Sequence, residues 1–346
     1  MNEDEKYMSR CLQLAKNGYS HAAPNPMVGA VIVHHHRIIG EGYHIRCGEA
    51  HAEVNAIRSV KEPELLREST IYVSLEPCSH YGKTPPCADL IIEKQIPRVV
   101  VGCVDPFSKV SGRGIQKLRD AGIKVTVGVL EKECLRLNRR FITFNVSKRP
   151  YITLKWAESS DGFIDLERTS GHPYSLSNPL TQMLVHKKRA ENKSILVGRS
   201  TAQLDNPSLT IRSWSGNHPI RLVIDRYLSL PPHLKLFDKE VPTWIFTEKE
   251  CASSSNREYI QLDFQHDILP QILEILYKRN IQSLLVEGGR ILLQSFLDAG
   301  LWDEIFIEKA PALLRSGVKA PECRIQEMPE IELHFGHTFF HYEQFH

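Results

Sequence analysis

Ala50-His51-Ala52-Glu53 and Leu75-Glu76-Pro77-Cys78, the second completed by Cys87, are the stretches on which the reading of this chain turns. One imidazole and two thiolates make three ligands. Zinc takes four ligands in a tetrahedron, and structural sites fill all four from the protein. Three leave one corner for water, as a hydrolytic site requires. Glu53 lies two residues from His51 and is placed to move that water's proton. Metal-bound cysteines must be deprotonated, so Cys78 and Cys87 read as thiolates and His51 as a neutral ring. Both halves fall where helices are expected to begin, and the positive end of a helix favours thiolate.

Outward from this set, residues 1–146 alternate short β-rich runs with helical stretches. Met8–Lys16, His51–Val60, Cys87–Lys94 and Gly114–Ala121 read as helices. Met27–Val33 and Arg37–Gly42 read as a hairpin around His34-His35-His36, which is taken as a solvated turn. Ile71–Leu75 and Val99–Cys103 are continuous apolar runs of the buried-strand type, and Ile123–Val129 is a further strand. Ser147-Lys148-Arg149-Pro150 is a polar break, after which the alternation restarts. Strands are expected at Tyr151–Trp156, Ser194–Val197, Ile220–Ile224, Thr243–Phe246, Ser283–Val286 and Glu304–Glu308. Helices are expected at Pro179–Glu191, Leu269–Arg279 and Ile291–Ala299. The chain is therefore α/β throughout, with a domain at 1–146 and another at 150–346.

Composition narrows the function classes. A net charge of +2 supplies no field for nucleic acid or a membrane surface. No 18-residue apolar run is present, so no membrane-spanning helix is expected. The first residues, Met1 to Lys6, are polar and acidic, unlike a signal peptide. The eight cysteines are scattered and read as cytosolic thiols, two of them metal ligands.

Zinc-dependent nucleobase deaminases use His-x-Glu with Pro-Cys-x-x-Cys, the glutamate acting as acid and base. Here eight residues, Ser79 to Pro86, separate the cysteines. In that departure the stretch from Leu75 to Cys87 resembles the deaminase domain of the bifunctional riboflavin biosynthesis deaminase/reductases. So do Pro24-Asn25-Pro26-Met27-Val28-Gly29, Gly42-Tyr43-His44, Gly48 to Val54 and Gly112-Arg113-Gly114, in the family's order across residues 7–141. The resemblance implies a cytidine-deaminase-like three-layer α/β/α domain with Zn2+ on His51, Cys78 and Cys87, and with Glu53 as the catalytic acid/base. It implies that Asn25, His44 and Lys83 contact the pyrimidine and its phosphate, with Asp105 as a further substrate contact. Phe107 replaces a polar residue of the family. The implied reaction is hydrolytic deamination of 2,5-diamino-6-(5-phosphoribosylamino)pyrimidin-4(3H)-one. Cys47, four residues before His51, is the candidate for a fourth ligand if the site were purely structural.

Beyond residue 150 the Gly-x-Gly-x-x-Gly dinucleotide fingerprint is absent. Val286-Glu287-Gly288-Gly289-Arg290 follows an apolar run and opens a helix, where backbone amides can approach a phosphate. Val197 to Arg212 reads as a long polar loop after a strand. With Lys155 to Gly162, Arg189-Ala190 and Ile224-Asp225, these segments resemble the reductase domain of the same family over roughly residues 150–310. That resemblance implies a dihydrofolate-reductase-like α/β fold using NADPH. Thr201, Asp205, Gly288, Gly289 and Arg290 would bind the cofactor. Arg189, Leu209, Arg212 and Glu287 would hold the ribose or its phosphate, and Lys155 would lie near the reacting sugar. Glu158 stands where many members have a small residue, and Pro173 to Asn178 lacks the usual Ser-x-Trp-Ile-Thr-Ser. The implied reaction reduces the ribosyl group of 5-amino-6-(5-phosphoribosylamino)uracil to ribityl. The resemblance also implies small-molecule phosphoribosyl-pyrimidine substrates, a homo-oligomer and a cytoplasmic setting. The rivals are a zinc deaminase of another nucleobase with a non-functional reductase-like half, and a zinc-stabilised binding module.

Overall fold

The computed structural model describes residues 1–19, 21–79, 85–106, 111–168, 174–326 and 328–344. It consists of two compact units, Met1–Lys148 and Arg149–His346.

The first unit runs α1 (Glu3–Ala15), β1 (Gly29–His34), β2 (Arg37–Tyr43), α2 (Ala52–Ser59), β3 (Thr70–Leu75), α3 (Cys87–Glu93), β4 (Arg98–Cys103), α4 (Arg113–Asp120), β5 (Lys124–Val127), α5 (Glu131–Leu137) and α6 (Arg139–Val146). Among the described residues the strands form one sheet, ordered β2-β1-β3-β4-β5. β1 is antiparallel to both neighbours, while β3, β4 and β5 are parallel.

The period of two along each strand divides the core into two layers. Ala30, Ile32, Ile71, Val73, Val99 and Val101 face α2, α3 and α4, where Ala56, Ile91 and Leu118 are fully buried. Val31, Tyr72 and Val100 face the other way, onto Met8 and Cys11 of α1 and Cys134 of α5. The unit is an α/β/α sandwich. Asn2 caps α1 in a reciprocal capping box with Glu5, which starts that helix earlier than its apolar pattern suggests. His35 and His36 take left-handed φ of 45° and 62° at the hairpin turn.

The second unit runs β6 (Tyr151–Glu158), β7 (Phe163–Asp165), α7 (Pro179–Ala190), β8 (Ser194–Gly198), α8 (Arg199–Asp205), β9 (Ile220–Ile224), β10 (Thr243–Thr247), β11 (Arg257–Gln261), α9 (Ile268–Lys278), β12 (Ser283–Val286), α10 (Arg290–Asp298), β13 (Glu304–Lys309), β14 (Val318–Lys319), β15 (Glu330–His334) and β16 (His337–Glu343). Its main sheet is ordered β11-β10-β9-β8-β12-β6-β13-β16-β15. The strands from β11 to β13 are parallel, and β16 and β15 add antiparallel at the far edge. Both faces of the parallel part are covered, as such sheets require. Leu154, Leu196, Phe246 and Val286 pack on α9 and α10. Ile195, Val197, Val223 and Leu285 pack on Ala202 of α8 and on Leu209, Leu234 and Leu236.

One sequence expectation is corrected here. Val197 to Arg212 is not one polar loop, because Arg199–Asp205 is helical and ends at Asn206 in the left-handed region at φ 43°. Seven residues with a single buried alanine carry too short a period to be seen as a helix. The C-terminal segment, to which the sequence assigned no role, joins the sheet as β15 and β16. Every residue of β15 is exposed, so it lacks the alternation by which a strand is recognised.

Candidate functional site

In the first unit, the local fold brings the three proposed ligands together. His51 occupies the N-cap of α2 and Cys87 is the first residue of α3. Cys78 follows the buried β3 after the two residues Glu76-Pro77. An ion about 2.0 Å from an imidazole nitrogen and about 2.3 Å from each thiolate, at tetrahedral angles, sets nitrogen–sulfur edges of about 3.5 Å. His51 Nδ1 lies 3.5 Å from Cys78 Sγ and 3.4 Å from Cys87 Sγ. The donor set and its spacing therefore fit zinc. Cys47 is exposed and stands outside this cluster.

The charges follow from the same contacts. The Cys87 thiol hydrogen-bonds to Cys78, and this bond is the main cause of Cys78 being pushed down to about 4. The Cys87 backbone N–H also donates to Cys78 Sγ at 3.3 Å. Cys87, as the donor beside an anion and a buried carboxylate, is pushed up. A cation at the centre would displace the proton they share.

Glu53 sits in the first turn of α2, is 3 % exposed and interacts with the Cys87 thiol. Burial, together with the nearby Cys78 thiolate, raises its pKa to about 7.

His44 is buried beside His51, with the rings edge-on at 5.5 Å between centroids. The carbonyl of Ala50 lies 3.1 Å from His44 Nδ1 and can only accept, so Nδ1 carries the proton. Nε2 then accepts from the Asn25 amide at 3.1 Å. Asn25 and His44 thus form one oriented chain next to the ligands. Lys83 and Phe107 lie outside the described residues.

Asp105 is held through its backbone, its N–H donating to Glu76 at 3.3 Å. Glu76 stands within the motif quoted from sequence, which gave it no role of its own. Its buried carboxylate accepts from Asp105, from Gly112 at 2.9 Å, from Gly114 at 2.8 Å and from Ile115 at 3.3 Å. A Cβ on Gly114 would stand 1.9 Å from the Pro77 carbonyl, so only glycine allows this approach. Asn138, likewise without a role from sequence, clamps the backbone of Met27 with both ends of its amide, at 2.8 and 2.9 Å.

In the second unit, a cleft of about 1200 Å³ opens at the carboxyl ends of β6, β8, β9 and β12. Ligands bind at this end of open parallel sheets. Lys155, Arg189, Thr201, Asp205, Arg212, Glu287, Gly288, Gly289 and Arg290, all singled out from sequence, line it. Leu209 does not share the cleft. Its side chain is buried in the core at a left-handed φ of 52°, leaving its backbone as what that turn can present.

Glu287 and Arg189 form a bidentate pair, with Nη2 to Oε2 at 2.7 Å. Gly289 has φ 77°, and a Cβ on Gly288 would meet Thr201 Cγ2 at 2.9 Å. The turn Glu287–Arg290 therefore lies flat on Thr201, with the start of α10 facing the cleft.

Two lining residues went unnoticed in the sequence. Arg168 joins Asp165, at 2.8 Å, to Asp205. His186 Nδ1 accepts from the backbone of Arg212 at 2.9 Å and of Ser213 at 2.8 Å. Burial, with Arg189 and Arg212 nearby, lowers His186 to about 4 and keeps it a neutral acceptor.

Comparison with known proteins follows the same division. Residues 1–103 match the cytidine and deoxycytidylate deaminase zinc-binding region, and residues 150–329 match the RibD C-terminal domain. The riboflavin biosynthesis protein RibD of Aquifex aeolicus (strain VF5) is 40% identical over 334 residues, covering 94% of this chain and 92% of its own. The chain belongs to the RibD family. The RibD of Escherichia coli (strain K12) is 36% identical, covering 96% of this chain and 99% of its own. A crystal structure from Thermotoga maritima, described as a diaminohydroxyphosphoribosylaminopyrimidine deaminase/5-amino-6-(5-phosphoribosylamino)uracil reductase, superposes with a TM-score of 0.88. It is 36% identical over 99% of this chain and 98% of that one. As a RibD, the chain is a bifunctional enzyme of riboflavin biosynthesis, with deaminase and reductase activities on small molecules. No helix among the described residues is long and apolar enough to cross a membrane.

Proposed function

We propose that the two sites carry out the two consecutive steps of the Thermotoga maritima protein's description: hydrolytic deamination of the diaminopyrimidine, then reduction of the ribosyl chain of the resulting uracil. The observation that carries the first step is the triangle of His51, Cys78 and Cys87 with the buried Glu53 against it. Zinc held there supplies a Lewis acid that activates water near neutral pH.

The residues do the rest. Glu53, buried beside the ligands, takes a proton from the attacking water and places it on the ring nitrogen. It then takes the proton of the new carbon-bound hydroxyl and gives it to the departing amine, so that the C–N bond breaks, ammonia leaves and a carbonyl remains. Asn25, oriented by His44 and Ala50, presents its amide to the pyrimidine. Lys83 and Asp105 complete the hold on the substrate.

In the second unit we assign NADPH to the start of α10, with Thr201, Asp205, Gly288, Gly289 and Arg290 around it. The cofactor supplies hydride. Arg189, Arg212, Glu287 and the Leu209 backbone hold the ribose phosphate, and Lys155 faces the reacting sugar. A homo-oligomer is supported by the exposed outer strand β15, whose Ile331 and Leu333 share one uncovered face.

The test is a paired assay on the purified chain. Glu53→Gln should retain zinc while ammonia release falls by about 10²–10⁴-fold. The deaminated ribosylaminouracil phosphate should drive NADPH oxidation at the wild-type rate in that variant. Undiminished ammonia release would remove Glu53 from the mechanism.

A further inference from the structure

Glu308, near the end of β13, carries a carboxylate with no solvent exposure. The Ser177 hydroxyl donates to Oε2 at 2.6 Å, and His337 Nδ1 donates to Oε1 at 2.8 Å. Lys155 Nζ stands 3.8 Å from Oε2. Register explains the meeting. β6 and β13 run parallel with Lys155 opposite Phe306 and Ala157 opposite Glu308, so Lys155 and Glu308 share a face two residues apart.

A buried carboxylate is costly unless it is paired and hydrogen-bonded. Here a hydroxyl, an imidazole N–H and the Lys155 amino group meet it. They come from three separate places: the segment before α7, the C-terminal strand β16 and β6. Ser177 belongs to the stretch in which this chain departs from the reductase pattern. Lys155 and Ser177 line the cleft, while Glu308 and His337 lie behind them.

We propose that Glu308, braced by Ser177 and His337, is a positioning residue for the reduction, holding the Lys155 amino group where it meets the ribosyl ring oxygen. The inference rests on the reading that Lys155 reaches the sugar. The ring oxygen takes a proton from Lys155 as its bond to C1 breaks, leaving C1 doubly bonded to the exocyclic nitrogen. C1 then receives hydride, with its electron pair, from NADPH. The products are a C1 methylene on a secondary amine, a free hydroxyl and NADP+, and Lys155 regains its proton from solvent. Glu308 touches neither substrate nor cofactor; its part is to hold the Lys155 amino group in place.

Glu308→Gln keeps the volume and removes the charge. Its kcat for NADPH oxidation should fall roughly ten- to a hundredfold, while KM for NADPH and ammonia release by the same polypeptide stay at wild-type values. Glu308→Asp should recover part of the rate. A Glu308→Gln kcat within twofold of wild type overturns the proposal, as does an equal loss of NADPH affinity and ammonia release. If Glu308→Gln does not fold, Ser177→Ala and His337→Leu decide. Each withdraws one donor and should lower kcat about threefold, and wild-type rates in both overturn the proposal. Lys155→Met separates the layers. Unimpaired reduction in Lys155→Met removes the underlying reading of Lys155, whereas its loss alongside a fully active Glu308→Gln removes the Glu308 proposal alone.

Discussion

The Glu76 carboxylate accepts the backbone N–H of Gly114 at 2.8 Å, tying the residue after β3 to the start of α4. Cys78 lies two residues beyond Glu76, so the same bond fixes the approach of a proposed zinc ligand. Four backbone amides converge on this one side chain. Glu76→Gln would turn one oxygen into an amide donor facing other donors. The expected loss is about 3 kcal/mol, since buried donors would be left unpaired. That corresponds to a fall of about 6–12 °C in the first unit's Tm. Thermal unfolding followed beside bound zinc checks it, and a wild-type Tm would refute the clamp.

Cys87→Ala removes one corner of the nitrogen–sulfur triangle and one of its charges. Zinc per chain should drop well below one at micromolar metal, and ammonia release should be lost. Chelation of the wild-type protein should have the same effect and leave NADPH oxidation running. Atomic absorption with both activity assays measures this; loss of both activities on chelation would contradict it.

Gly289→Ala adds a methyl 3.1 Å from Thr201 Oγ1, at a φ of 77° that L residues adopt poorly. Strain of about 1–2 kcal/mol would open the turn that faces the cleft. KM for NADPH should rise about tenfold, with deamination untouched. Steady-state titration with NADPH decides it.

His186 is pushed down to about 4 in the fold, against an ordinary value of 6.5. The folded unit therefore binds fewer protons than the unfolded chain between those pH values. The stability it contributes is complete above about pH 6.5 and is lost as pH falls toward 4. His186→Gln still offers an acceptor to the amides of Arg212 and Ser213, but cannot titrate. Its second-unit unfolding should be flatter than wild type from pH 6.5 to 4 in denaturant titrations. Parallel curves would show that His186 does not set this dependence.

Much of the architecture was legible because burial leaves periodic marks. The apolar runs Ile71–Leu75 and Val99–Cys103 fall within β3 and β4, and Ile220–Ile224 and Ser283–Val286 coincide with β9 and β12. The helix starts at His51 and Cys87 were legible for the same reason. α5, α6 and α8 were not, being short, nor was the β15–β16 hairpin, whose first strand is exposed throughout and whose second is half-buried at nearly every position, so that neither alternates. The zinc-ligand types and their neighbours were identifiable by residue and spacing. Glu76, Asn138, Arg168 and His186 were not, because each acts through backbone or side-chain partners distant in sequence.

The order of residues alone determined which atoms this protein can offer: an imidazole, a carboxylate and a thiol at helix starts, a second thiol after a strand, and a glycine pair after another strand. These are local features, set by residue type and by a few adjacent dihedral angles. Only the tertiary structure decided which carboxylate meets which donor. Glu308 with Lys155 and Asp205 with Arg168 depend on strand register and side-chain direction, quantities that appear only once the sheets have packed.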